Sequence, residues 1–257
     1  VMVIAETPLI DVTDSALAKT IITKDFFENI PTARDALQIL NFAPGVVNWS
    51  AYGGGQYTSN SFQMDGVELN DAWCGSGIYT TPIDYDVIEE TQIIGLGAPA
   101  EYGNFTGAMV RIVTKSGGNN FSGDAQFYFQ DRKWQSENIP RGEPRWSLIP
   151  EALKTRVLDT SFHLGGPVIR DKLWFFGGLE YYSTNPLMSS INREQPLTFP
   201  KFFLKLTFQP SQKNRFQAFF QFHNRNRKGT LSKFTAPEAQ NQLIYPVYMG
   251  NLSFLHT

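Results

Sequence analysis

The sequence has 257 residues, a formal net charge of -2 from 22 basic and 24 acidic residues, 21 Phe, and one cysteine, Cys74. That charge balance argues against a nucleic-acid protein that works through a basic field. A lone cysteine leaves no internal disulfide and no cysteine-based metal cluster. The aromatic content is 14% although the mean hydropathy is slightly polar, so the apolar mass is concentrated, as it is in strands with one wet face. No run approaches the roughly 18 apolar residues of a membrane-spanning helix. Membrane insertion therefore requires a closed β-barrel, the other backbone arrangement that satisfies its own hydrogen bonds in lipid.

In chain order, Val1-Met2-Val3-Ile4-Ala5 is a short β-prone run stopped by Pro8, and the stretch Asp11 to Lys19 is polar. The sequence predicts a helix over Ile22 to Ile30 opened by Thr23, and a second over Thr32 to Leu40 with Pro31 between them. Ala36, Leu37, Ile39 and Leu40 give the second an apolar stripe, and Pro44-Gly45 ends it. Trp49 to Tyr57 reads as a flexible, glycine-rich aromatic loop. Phe62 to Leu69 reads as two short strands about the Asp65-Gly66 turn. After an irregular stretch from Trp73 to Thr81, a helix or turn is expected at Tyr85 to Glu90 and a strand at Thr91 to Ile94. Val110 to Val113, apolar on both faces apart from Arg111, suits a strand buried inside a globular domain.

The character changes after the turn residues Lys115 to Asn120. From Phe121 the alternation is strict: Phe121, Gly123, Ala125, Phe127 and Phe129 fall on one face, and Ser122, Asp124, Gln126, Tyr128 and Gln130 on the other. Five further alternating segments follow near Val157 to Gly165, Lys172 to Ser183, Phe202 to Gln209, Arg215 to Arg225 and Val247 to His256. The connections Gly165 to Asp171 and Pro210 to Asn214 are short; those from Arg132 to Arg156, Thr184 to Lys201 and Asn226 to Pro246 are long and polar. A soluble sandwich has no reason to lengthen every second loop, whereas an outer-membrane barrel has short periplasmic turns and long external loops. The expected lipid side holds Phe127, Phe129, Phe202, Leu204, Leu206, Phe208, Phe216, Ala218, Phe220 and Phe222. Lys205, Thr207, Gln209, Gln217, Gln221, His223 and Arg225 would face the lumen, with Trp174, Phe176 and Phe219 as aromatic exceptions there. A globular domain ahead of a wide barrel is its natural lumen filler.

The segments VMVIAETPLID, DALQILNFAPGV, FQMDGVELND, VIEETQII, AEYGNFTGAMVRIVTKSGGNNFSGDAQFYF and LGGPVIRDKLWFFGGLEYY, in this order, resemble the TonB-dependent outer-membrane receptors. The last two are most similar to the Oar-like branch, whose members often carry a carboxypeptidase-regulatory-like domain ahead of the plug. The resemblance implies an α+β plug domain at residues 1–118, antiparallel transmembrane β-barrel strands over 119–257, and energy-coupled uptake driven by TonB of the inner-membrane complex. It also implies a Gram-negative outer-membrane location, with the plug in the barrel lumen, the long loops outside, and outer-membrane lipid and lipopolysaccharide as surroundings. The family barrel has about 22 strands, so six alternating segments are expected to be the N-terminal part of a longer protein. Residues Val1, Met2, Val3, Ile4 and Ala5 resemble the TonB box, with Ile4 in place of the usual threonine.

By the same resemblance the aromatic residues Trp49, Tyr52, Tyr57, Trp73 and Tyr79, all in irregular glycine-rich sequence, would form the plug's outward apex and touch substrate. Aromatic faces suit siderophores, glycans and peptides alike; the other reading is that these rings pack the plug. His163, His223 and His256 read as polar strand residues rather than ligands. Asp84, Asp86, Glu89 and Glu90 read as a solvated helix start. Gly53-Gly54-Gly55 lacks the lysine and the strand-to-helix setting of a phosphate loop. No serine, histidine and acid grouping stands out, so neither an enzyme nor a cofactor or metal site is expected. The external loop containing Arg132, Lys133, Trp134, Arg141, Arg145 and Trp146 is either solvated or in touch with anionic lipopolysaccharide or cargo.

The function expected is import of a scarce or bulky substrate. The alternatives are a structural, adhesive or secretion-related barrel without active import and, more distantly, a soluble carbohydrate-binding sandwich.

Overall fold

The computed structural model describes residues 19–29, 34, 36–54, 59–69, 83–95, 98, 102–103, 105–134, 155–188, 193–228, 236, 239 and 241–256. It divides into two compact units, Val1–Thr114 and Lys115–Thr257.

The first unit is built on a mixed five-stranded sheet. Its strands are β1 (Lys19–Thr23), β4 (Ser61–Met64), β5 (Val67–Glu68), β6 (Ile88–Ile94) and β7 (Met109–Thr114), in the order β1-β6-β7-β4-β5. Only β4 and β7 run parallel. Helix α1 (Lys24–Asn29) follows β1 directly. Ile22 and Thr23 therefore belong to a strand rather than to the predicted helix, because the run Thr20-Ile21-Ile22-Thr23 is β-branched throughout and pairs with β6. The second expected helix is a 3-10 turn at Ala36–Phe42, whose Ile39 and Leu40 are fully buried. The core comprises Phe62, Met64, Val87, Ile88, Ile93, Ile94, Met109 and Ile112. Strand β7, flanked by β6 and β4, is buried on both faces except at Arg111 and Val113, the position the apolar run required.

The β4–β5 turn is the expected one. Asp65 and Gly66 have φ of 46° and 85°, both left-handed, which an Asp-Gly pair adopts in a type I′ hairpin. Asp65 also fastens the hairpin to the last residue of the unit: its carboxylate accepts from the Thr114 backbone N–H at 3.1 Å and from the Thr114 hydroxyl. Tyr85–Val87 is a single 3-10 turn opened by Asp84, whose side chain accepts from the Asp86 N–H at 2.9 Å. Asp86 in turn forms an ion pair with Arg34. Two members of the acidic cluster thus act as a cap and an ion-pair partner.

The second unit is an antiparallel sheet of β8 (Ser122–Gln130), β9 (Thr155–Ile169), β10 (Leu173–Met188), β12 (Leu197–Ser211), β13 (Asn214–Lys228) and β14 (Gln242–His256), with sequential neighbours paired and the short β11 (Arg193–Glu194) on β10. The six expected segments are all present, and all but β8 are longer than the alternation alone indicated. Strand β9 runs through Gly165, Gly166 and Pro167 to Ile169, leaving only Arg170–Lys172 as the turn, with Asp171 at φ 62°. The register holds the two faces apart across the whole sheet. Leu179, Phe202 and Phe222 are successive partners on one face, as are Phe208, Phe216 and Phe254. Glu180, Lys201 and His223 are successive partners on the other.

The burial of these faces is inverted relative to a water-soluble sheet. Phe127, Phe162, Leu179, Phe220, Leu252 and Phe254 are exposed, whereas Asp159, Ser161, His163, Glu180, Lys205, Thr207, Gln221 and His223 are buried. An exposed apolar band on a twisted antiparallel sheet is what lipid requires of an outer-membrane strand. A cysteine at Phe220 is accordingly expected to react with a lipid-soluble probe and one at Gln221 with a water-soluble probe, and the reverse pattern would place the register one residue out.

Candidate functional site

Two groups of residues carry candidate function. The first is the polar face of the barrel sheet. An aromatic row crosses four strands there: His163 stacks on Phe176 at 6.2 Å, Phe176 meets Phe203 edge-on at 6.3 Å, and Phe203 stacks on Phe219 at 6.1 Å. Phe176 and Phe219, the aromatic exceptions of the sequence pattern, therefore belong to one continuous row, with ring separations at which such pairs attract. One strand pair higher, Lys201 Nζ donates to both carboxylate oxygens of Glu180 at 2.8 Å, with both side chains at most 10% exposed. His163 Nδ1 lies 3.1 Å from Asp124 Oδ2. The Thr207 hydroxyl and the Gln217 and Gln221 amide nitrogens are buried without a hydrogen-bond partner among the described residues, as expected of a surface built for water or solute rather than for a dry core.

Neither the Glu180–Lys201 pair nor the aromatic row was legible in the sequence. Both depend on the register between separate strands, and alternation assigns a residue to a face without choosing its cross-strand partner.

The second group is the plug hairpin of β2 (Val46–Val47) and β3 (Ser50–Ala51). The sequence read this region as a flexible loop. It is instead a tight two-residue turn in which Asn48 and Trp49 have φ of 48° and 64°. Asparagine tolerates this geometry but a bulky residue rarely does. The Trp49 backbone is held on both sides: its N–H donates to Asn41 Oδ1 at 3.0 Å and its carbonyl accepts from Asn60 Nδ2 at 2.7 Å. The indole N–H has no partner among the described residues.

Tyr52, also at positive φ, lies against the backbone of Gly45 and Gly95, where an added Cβ would meet its ring. Burial raises the pKa of its phenol, opposed by a hydrogen bond with the Thr20 side chain. Tyr52 is thus placed as a packed residue and Trp49 as a strained one. Tyr57, Trp73, Tyr79 and Val1 to Ala5 lie outside the described residues, as do Arg141, Arg145 and Trp146 of the external loop. Trp49→Gly should relieve about 1 kcal/mol of left-handed strain but gain a similar unfolded-state freedom, leaving the melting temperature of the complete protein nearly unchanged. A fall would mean that the indole is core.

The comparisons agree with this geometry. Residues 113–200 match the model of the outer membrane beta barrel domain. The TonB-dependent transporter Oar of Myxococcus xanthus is 26% identical over 191 residues, covering 69% of this chain and 18% of that protein. Among solved structures, the outer membrane transporter YddB of Escherichia coli superposes with a TM-score of 0.71 at 13% identity, covering 93% of this chain and 37% of that one. A ferric enterobactin receptor of Pseudomonas aeruginosa gives 0.64 at 15%, covering 93% and 38%. The siderophore receptor PirA of the same organism gives 0.60 at 16%, covering 94% and 42%. The chain thus spans less than half the length of each of these relatives.

A plug-type α+β unit followed by inside-out antiparallel strands defines an outer-membrane protein of the plugged-barrel class. Within that class the chain is similar to the TonB-dependent transporters and receptors of Gram-negative bacteria, with its likeness to Oar carried by sequence and the likeness to the siderophore receptors by fold. The named relatives are transporters and receptors, not enzymes.

Proposed function

We propose that the chain is the plug and first barrel strands of an active outer-membrane importer, coupled through Val1 to Ala5 to TonB and taking up a bulky substrate of the siderophore, glycan or peptide class. The observation that carries this reading is the inverted second unit, in which buried polar residues and exposed aromatic residues alternate along six paired strands behind an independently cored first unit. An adhesive barrel would need the exposed apolar face but not a first unit with strained, clamped aromatic geometry at its hairpin. Trp49 and Tyr52, with Tyr57, Trp73 and Tyr79, are the substrate-contact candidates of that unit. The aromatic row on the barrel's polar face adds rings suited to planar or sugar-like cargo.

The test is retention of the complete, membrane-extracted protein by an immobilised TonB periplasmic domain, together with loss of substrate-dependent growth when TonB is deleted. A complete protein that ignores the TonB domain returns the reading to a structural barrel.

A further inference from the structure

On the apolar face of β8 and β9, the residues at the end bearing the long connection are not apolar. Arg156 shares its face with Leu158, Phe162 and Leu164 by the two-residue period. Its guanidinium stands 5.6 Å over the ring of Phe129, and 62% of its side chain is exposed. Trp134, also largely exposed, meets the same ring edge-on at 5.2 Å.

One 3-10 turn, Arg132–Trp134, brings the indole back onto the strand. The Asp131 carbonyl accepts from the Trp134 N–H at 3.0 Å, and Asp131 Oδ1 accepts from the Lys133 N–H at 2.9 Å. The other carboxylate oxygen lies 4.0 Å from Arg156 Nε. Asp131, the acid of this cluster among the described residues, is therefore occupied in shaping the turn and aiming the guanidinium. Lys133, which is exposed, and Arg156 outnumber that acid among the described residues.

Two plainer placements fit poorly. A loop in bulk water would account for the ring contact, worth about 0.5–1.5 kcal/mol, but not for a largely exposed indole beside a lipid-side phenylalanine, and the hydrocarbon interior penalises an arginine by several kcal/mol. An indole and a guanidinium bracketing one ring suit the boundary, where the apolar body lies in the membrane and the charge reaches the headgroups. The long connections put this boundary on the outer side, whose leaflet presents phosphorylated glycolipid.

We propose that Arg156, Lys133 and Trp134 form a binding site for the phosphorylated headgroup of an outer-leaflet glycolipid. The two cations take the phosphate, for which the guanidinium offers paired donors, and the indole with Phe129 lies along the sugar and the first acyl carbons. The site rests on the outer-membrane reading above, and charge complementarity selects its occupant.

The experiment is native mass spectrometry of the complete protein in detergent, titrated with bis-phosphorylated lipid A and with the same lipid after phosphate removal. The wild type is expected to retain the phosphorylated form preferentially. Arg156→Gln and Lys133→Gln should each weaken that retention about five-fold, and Trp134→Ala should weaken both lipids alike. Equal retention of the two lipids by the wild type, or an unchanged preference in the Arg156→Gln/Lys133→Gln double variant, overturns the site. The same samples run with and without heating separate the two readings. A heat-modifiable barrel that lacks phosphate preference defeats the site alone, and a protein that forms no barrel defeats the outer-membrane reading with it.

Discussion

Lys201→Met is expected to destabilise the barrel by about 3–5 kcal/mol, the usual cost of removing one partner from a buried pair. Lys201 lies directly opposite Glu180 in the β10–β12 register and reaches both of its carboxylate oxygens at 2.8 Å. The Glu180 side chain is 6% exposed and that of Lys201 10%, so water replaces the lost cation poorly. Methionine keeps the length and packing of the lysine stem, which makes the charge the main thing removed. The measurement is urea unfolding of the complete protein in detergent, followed by its heat-modifiable mobility. The double variant Glu180→Gln/Lys201→Met should regain most of the loss, because no uncompensated charge then remains. A cost below about 1 kcal/mol would be the value of a solvated surface pair and would mean that this part of the lumen is wet enough to screen the two charges.

Val3→Pro is expected to uncouple the protein from TonB while leaving the plug intact. The coupling segment would act as an added edge strand, held by main-chain hydrogen bonds to a partner's sheet. Each such bond contributes only about 0.5–1.5 kcal/mol net, which suits a contact that must release. Proline removes one donor and locks φ, so retention on the TonB periplasmic domain should fall about ten-fold or more and uptake should stop, with surface binding of substrate unchanged.

The plug offers a physical reason for separating the two effects. Its first described strand, β1, lies at the edge of the sheet and pairs with β6 among the described residues, while most of the core lies on β4, β6 and β7. If Val1 to Ala5 were instead a fixed strand of the plug, the same proline would lower plug stability and substrate binding together. Transport that survives the proline defeats the coupling assignment.

The two sheets differ in how far the sequence could disclose them. Strand β7 was legible because Val110, Ile112 and Val113 form an apolar run that only a doubly covered strand accepts, and the Asp65-Gly66 turn because few residue pairs occupy two left-handed positions. The barrel strands were legible because alternation with period two survives whatever partner a strand takes. Their ends were not, since Gly165, Gly166 and Pro167 carry the composition of a turn and become strand only when paired with Phe176, Phe175 and Trp174 in that order. The helix expected from Ile22 begins only at Lys24 for the same reason, the β-branched run ahead of it being claimed by pairing with β6.

Of the candidate site, Trp49 and Tyr52 could be named from composition as loop aromatics, but their difference could not. Strain at one ring and a glycine seat beneath the other come from Asn41, Asn60, Gly45 and Gly95, residues brought together by the fold.

The sequence by itself determined the two-part organisation, the two faces of the barrel strands and the family likeness, because these rest on local periodicity and motif order. Only the tertiary structure decided which polar residues pair, where the aromatic row runs and which plug aromatic is strained. Those properties follow from register and contact between segments far apart in the chain, and alternation is the same for every register that keeps the faces.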